Sequence, residues 1–238
     1  DGKTHAITDA HINYLAIREA LKKSPAEAEA AVRKLVDVPA SVAAYSRGLV
    51  KVVGGAVTFA GNVIHNVVAD RILALMAENY KIDHLVAFLD KLLQNPSKSA
   101  VDELYLFLEK ANLPITEDGD FLAYKIVRGD YKDHYTGKFD NSVGAKPTMA
   151  RSDVDTDRNN TCSVGLHFCS QGYLPHYGSQ SDSRIMIVKI NPADVVSIPS
   201  DYDNAKGRCW TYLVVGEAES LYQVDDRLAA DLKTIYQA

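Results

Sequence analysis

The stretch Thr161 to Ser170, TCSVGLHFCS, sets a histidine between two of the chain's three cysteines. In an extended strand alternate side chains share a face, so His167 and Cys169 point one way while Leu166 and Phe168 point the other. Cys162 lies five residues before His167, and Cys209 stands at a later loop-to-strand junction that could return beside them. Cys162, His167, Cys169 and Cys209 together form the donor set of a tetrahedral Cys3His zinc site, with sulfur about 2.3 Å and nitrogen about 2.0–2.1 Å from the metal. The spacing Cys-x4-His-x-Cys is not a common zinc-finger spacing, and free cysteine also serves as a small buried hydrophobe. A third reading makes Cys169 or Cys162 a nucleophile with His167 or His176 as its base, which needs an electropositive, partly exposed pocket. Same-face neighbours along a strand sit roughly 6.5–7 Å apart, too far for direct contact without help from rotamers.

Other residues offer further chemistry, each with a plainer alternative. Glu217-Ala218-Glu219 follows an apolar strand. With the strands FLAYKIV and GLHFCS it resembles the strand order and E-x-E ending of ADP-ribosyltransferase-like domains, in which a carboxylate would stabilise positive charge on a ribose. Two exposed glutamates at a strand end is the simpler reading, since such short motifs match often by chance. Lys125 is either the working lysine of a cleft or a strand lysine whose stem covers apolar surface. Asp140-Asn141 and Asp203-Asn204 stand near glycine and read as turn formers, or as the lining of a polar pocket with His134. VDTDRNN lacks the glycine and closing glutamate of a calcium loop. P-loop, dinucleotide-fingerprint and HExxH patterns are absent from the sequence. Lys132, Lys138, Lys146, Arg151 and Arg158 interleave with Tyr131, Tyr135 and Phe139, the mixture that grips single-stranded nucleic acid. Six aspartates in the same segment (Asp130, Asp133, Asp140, Asp153, Asp155 and Asp157) offset that charge.

The elements that must position these residues follow from pattern. With 238 residues, 47% hydrophobic and 24% charged, the chain can bury a core. A formal charge of −5 gives no global field toward nucleic acid or an anionic membrane. Three cysteines make no disulfide framework and point to a reducing compartment, hence to a cytosolic protein. The first ten residues lack a signal-peptide core, and the absence of an initiating methionine leads to the expectation that a segment precedes Asp1. No apolar run reaches the 18 or so residues of a spanning helix, so any membrane association would be peripheral.

Residues 12–22 carry a short amphipathic pattern, and Ser24-Pro25 opens an Ala-rich helix with serine as cap and proline at its first position. Two β-branched runs around Gly54-Gly55 predict a hairpin. Helical spacing returns over 64–76, 83–94 and 101–108, with Asn95-Pro96-Ser97 as a break. From residue 116 strands dominate: Phe121–Val127, GLHFCS, SRIMIVKI and WTYLVVGEAE, with IPSDYDNAKGRC as a loop and RLAADLKTIYQA as a closing helix. The 35 residues from Arg128 to Cys162 form a polar excursion of the kind ordered by packing or kept for function. The predicted fold is α+β, with a helical module with one β-hairpin over 1–115 and a mixed or antiparallel sheet domain over 116–238.

Several blocks together resemble one family, the rIIB-type lysis-inhibition (rapid-lysis) proteins of tailed bacteriophages. They are VADRIL, FLDKLLQNPSKSAVDELYLFLEKANLPITEDGDFLAYKIVR, DNSVG, TCSVGLHFCSQGYLPHYGS and VKINPADVVSIPSDYDNAKGRCWTYLVV, which are spread over residues 62–215. The resemblance implies a phage early protein working with a rIIA-type partner at the inner face of the host membrane, in the infected cytoplasm. It also implies effects on lysis timing and on prophage exclusion or other host defence proteins. Neither a fold nor a biochemical activity comes with it. The expectation is therefore a protein acting through protein contacts, with self-association through the Ala-rich helix 25–37 as one route. The alternatives are an enzyme with an ADP-ribosyltransferase-like or Cys/His site, and a nucleic-acid-binding protein.

Overall fold

The computed structural model describes residues 7, 14–36, 48, 50–53, 56–59, 61–63, 83–111, 113–177, 182–201 and 205–218. By backbone packing the chain divides into two compact units, residues 1–86 and 87–238. That division is one of packing, whereas the change at residue 116 is one of element type.

In the first unit, helices α1 (Tyr14–Ala20) and α2 (Pro25–Val36) pack against each other. Proline at the start of α2 lacks only an amide that would have had no helical partner. Just ahead of it, the Ser24 hydroxyl donates to Glu27 at 2.6 Å. Strands β1 (Val50–Val53) and β2 (Ala56–Phe59) pair antiparallel with Val53 opposite Ala56, the register of a two-residue hairpin. A third strand, β3 (Asn62–Val63), which the sequence pattern did not signal, returns along β2 after Gly61 at φ +86°. The helical pattern over 64–76 and the closing helix lie outside the described residues.

The second unit is built on a six-stranded, wholly antiparallel sheet. Helices α3 (Asp83–Leu93) and α4 (Lys98–Lys110) precede β4 (Phe121–Val127), β5 (Leu166–Cys169), β6 (Arg184–Ile190), β7 (Val195–Ser197), β8 (Lys206–Cys209) and β9 (Leu213–Ala218). The strand order is β7-β8-β5-β4-β6-β9. The α+β reading is borne out. Lys206–Cys209, expected as loop, is instead an interior strand. Two cations and a glycine in four residues conceal the apolar alternation that marks a strand.

One sheet face forms the core with the helices. Phe168 meets Phe107 of α4 and Phe121 of β4 edge to face at 5.7 and 5.5 Å. All three rings are essentially inaccessible, as are Met186, Val188 and Ile190 of β6. The register places Phe168 opposite Gly207, where a Cβ would overlap the Phe168 ring. Gly119, at φ +81°, lets the turn before β4 press against the α3 backbone at Ala87 and Phe88.

Asn95, in the break between α3 and α4, is 7% exposed and donates to the carbonyls of Pro192 and Val195 at 2.8 and 2.7 Å. Arg151 from the long excursion binds Asn95 Oδ1, so one buried amide joins the helix break, β7 and that loop. Gly207→Ala is expected to destabilise the protein by about 1–3 kcal/mol through overpacking against Phe168. An unchanged urea midpoint would refute that account of the glycine.

Candidate functional site

Strands β4, β5 and β8 bring several of the expected residues to the middle of the sheet. Lys125 belongs to the face of Phe121 and Phe168, and its amine is buried at 7% exposure. Its Nζ donates to the His167 carbonyl at 2.9 Å and lies 5.6 Å from the centre of the Tyr212 ring. Burial pushes the Lys125 amine below its ordinary range, opposed by the nearby Cys209, Cys169 and Asp133. The Tyr212 hydroxyl donates to Asn141 Oδ1, and Asn141, fully buried, donates to the Phe139 carbonyl at 2.9 Å. Lys125 is thus the inner end of a polar chain that reaches the long excursion.

The opposite face carries His167, Cys169, Lys206 and Arg208. His167 Nε2 donates to the Ser163 carbonyl at 2.9 Å. Burial, with Lys125, Arg208 and Lys206 nearby, lowers His167 to about 4. Cys169 donates its thiol to the Tyr124 carbonyl at 3.4 Å, and burial pushes it up to about 12. A thiol so placed is the reverse of an activated nucleophile.

Arg208, fully buried, donates to the carbonyls of Asn160 and Asp157 at 2.8 and 2.6 Å and to Ser197 Oγ at 3.0 Å. Lys206 Nζ lies 2.8 Å from Asp201 and 3.4 Å from the Tyr173 hydroxyl. Burial opposes its charge, yet the Asp201 and Tyr173 hydrogen bonds leave Lys206 above its usual value.

The zinc set is not assembled, and register is the reason. Cys209 stands opposite Leu166, so it joins the core face, where its thiol donates to the Leu166 carbonyl at 3.4 Å. His167 stands opposite Arg208 on the other face, and Cys162 is exposed. Among the described residues no three His, Cys, Asp or Glu side chains are placed to hold a metal ion. His176 is exposed, its ring 5.6 Å from that of Tyr173.

At the end of β9, Glu217 accepts from Arg184 at 2.8 Å and from the Tyr131 hydroxyl at 3.0 Å, and the Arg184 bond holds its carboxyl below the usual range. Arg184 also stacks 4.6 Å over the Tyr131 ring. Tyr131 is in the left-handed region at φ 63°. Glu219, Asp203 and Asn204 lie outside the described residues.

His134 sits 3.3 Å from Ser183 Oγ, away from the Asn141 side chain's partners. Of the basic and aromatic interleaving, Arg151 holds Asn95 and Arg158 holds Glu103 at 2.6 Å, both within the protein. Lys138 and Lys146 are exposed, and Tyr135 is 98% exposed.

Each buried cation is engaged within the protein, and Arg208, through the carbonyls of Asp157 and Asn160, ties the end of the excursion to the sheet. Asp133 completes that work by accepting from the amides of Thr136, Lys138 and Phe139, which hold its carboxyl at about 2. Asn141, Asp133 and Arg208 are the residues sequence reasoning undervalued. A buried-polar role for Asn141 was detectable only as an Asx turn, and Arg208 looked like a loop cation.

Two outcomes test this geometry. Native thiol titration is expected to give one fast-reacting group, Cys162, with all three reacting only in denaturant; a second fast thiol would contradict the burial of Cys169 and Cys209. For His167 the folded value of about 4 lies below the ordinary 6.5, so the unfolded chain takes up the proton first. Its contribution is fully present above pH 6.5 and falls by about 3 kcal/mol as the pH drops through 4. His167→Gln is expected to flatten that part of the stability profile, measured by urea unfolding at stepped pH. A parallel, merely offset profile would place the titration elsewhere.

Comparison with known proteins adds what geometry alone lacks. No solved structure matches the chain. It is similar to Protein rIIB of Enterobacteria phage T4, 40% identical over 224 residues that cover 94% of this chain and 70% of that protein. A family model described as Bacteriophage T4 protein rIIB matches residues 10–229. That match takes in the hairpin, both helices ahead of the sheet, all six of its strands and the long excursion, and the chain belongs to the rIIB family of phage proteins.

Proposed function

We propose that the protein acts through protein contacts, together with a rIIA-type phage partner, to set the timing of host lysis and to counter host exclusion or defence. The work is placed in the infected bacterial cytoplasm, at or near the inner face of the membrane. Among the described residues no helix is long and apolar enough to cross a membrane, so peripheral contact is the form proposed. Membership of the rIIB family carries the reading. The geometry is compatible with it, because Lys125, Cys169, Arg208 and Glu217 are each engaged by the protein itself.

The test is complementation. A phage lacking its rIIB protein, grown on cells that supply this chain, is expected to recover normal plaque morphology. The chain is also expected to co-purify with the rIIA-type partner from infected cells. Cys169→Ser and Glu217→Gln, if folded, are expected to complement as well as the parent. Loss of complementation in a folded Cys169→Ser or Glu217→Gln protein would instead return a catalytic role to that residue. Failure of the parent chain to complement at all would reject the lysis reading.

A further inference from the structure

Within the long excursion, residues 131–141 form a hairpin-like projection. Lys132 pairs antiparallel with Asp140, and the Asn141 amide donates to the Tyr131 carbonyl at 2.8 Å. Inside it, the Asp133 carboxylate accepts from the amides of Thr136, Lys138 and Phe139 and from the Thr136 hydroxyl, and the Gly137 amide donates to the Asp133 carbonyl at 3.0 Å. Gly137 closes the turn at φ +67°. At the base, Tyr131 is held by Glu217 and Arg184, and Asn141 by Tyr212. The backbone of the tip is therefore fixed from within and at both ends. One side chain takes no part in that order: Tyr135, near the apex, is 98% exposed.

A ring so exposed contributes almost nothing to stability, yet this one is well prepared to bind. Tyrosine has few side-chain torsions to fix, and a backbone ordered in advance removes a cost that a mobile loop would have to meet. Tyrosine is also among the residues that dominate binding energy at protein interfaces. Charge at the tip narrows the partner. Arg128 and Lys132 face Asp130 and Asp140 at 3.0 and 4.0 Å, and the buried Asp133 is taken up by main-chain amides. Lys138 is exposed, and among the described residues no ion pair engages its ammonium. Single-stranded nucleic acid is a poor match, because it is held by successive stacking rings and a basic groove. Tyr131 is instead spent on Arg184, Phe139 is half-buried, and Arg151 and Arg158 hold Asn95 and Glu103. An anionic membrane is drawn to clusters of about four to eight basic residues. This tip offers Arg128, Lys132 and Lys138, the first two already facing aspartates.

We propose that Tyr135 is the anchor by which the protein docks on a partner protein, its ring filling a pocket whose rim sets a carboxylate against Lys138. This rests on the reading that the chain acts through protein contacts, and it names the surface that makes one of them.

Co-purification of the rIIA-type partner from infected cells, with the full chain as bait, tests it. Tyr135→Ala is expected to lower the recovered partner about tenfold or more, as loss of an interface anchor does. Its urea midpoint is expected to match the parent's, because the ring it removes stands in water. Tyr135→Phe is expected to recover most of the loss, and Lys138→Glu to lower recovery severalfold. A folded Tyr135→Ala protein that recovers the partner as well as the parent does would overturn the anchor and leave the protein-contact reading in place. Recovery of no partner by the parent itself would reject that reading, and the anchor with it. Two further probes separate other classes of ligand: a labelled single-stranded oligonucleotide, and vesicles of phosphatidylserine and phosphatidylcholine. Binding of either that disappears in Tyr135→Ala would also overturn the proposal, since the ring would then serve nucleic acid or the membrane.

Discussion

A guanidinium taken wholly out of water has to find acceptors, because an uncompensated buried charge costs several kcal/mol. Arg208 meets most of that requirement with two main-chain carbonyls, from Asn160 and Asp157, the Ser197 hydroxyl and the Asp155 carboxylate 3.7 Å away, while its Nε makes no hydrogen bond. The demand of one side chain in an interior strand therefore fixes the path of a segment some fifty residues earlier. Lys125 imposes a similar demand on the other face, met by the His167 carbonyl and the Tyr212 ring. Two features of the sheet unit go with satisfying these cations: the path of the excursion at Asp157 and Asn160, and the burial of Asn141 against Tyr212.

The same logic explains why the Cys/His set is divided between the two faces of the sheet. Antiparallel pairing fixes which side chains share a face, and a shift of one residue sends them to opposite faces. With Leu166 opposite Cys209, the core face receives one cysteine and the other face receives His167. Thiols held against main-chain carbonyls, away from water, stay protonated, because burial outweighs the pull of the lysines nearby. Burial, helped by the nearby cations, lowers His167, which keeps the imidazole neutral.

Much of the fold was legible from residue pattern because local signals and packing agree. Ser24-Pro25 opens a helix, Asn95-Pro96-Ser97 separates two helices, and Phe121–Val127 is a strand. The Gly54-Gly55 hairpin also has the expected register, although those two residues lie outside the described ones. What escaped was decided by distant partners. Lys206–Cys209 shows no alternation of apolar residues, and its burial depends on Asp201, Tyr173 and the Asp157–Asn160 turn. Lys125, His167 and Cys169 stand in the strands expected for them, but face and register determine their surroundings, and neither is written in spacing along one strand.

The excursion also lies along part of the outer strand. Gly144 donates its amide to the Val214 carbonyl at 2.8 Å, and Val214 donates in turn to Ala145 at 2.9 Å. Further back, Met149 donates to the Trp210 carbonyl at 3.0 Å, and Thr148 bridges Thr211. Main-chain groups left open on a sheet edge would be a template for another chain. At Val214 they are already spoken for by the protein's own loop, so at that point the six-stranded sheet cannot grow by adding a strand from a neighbouring molecule.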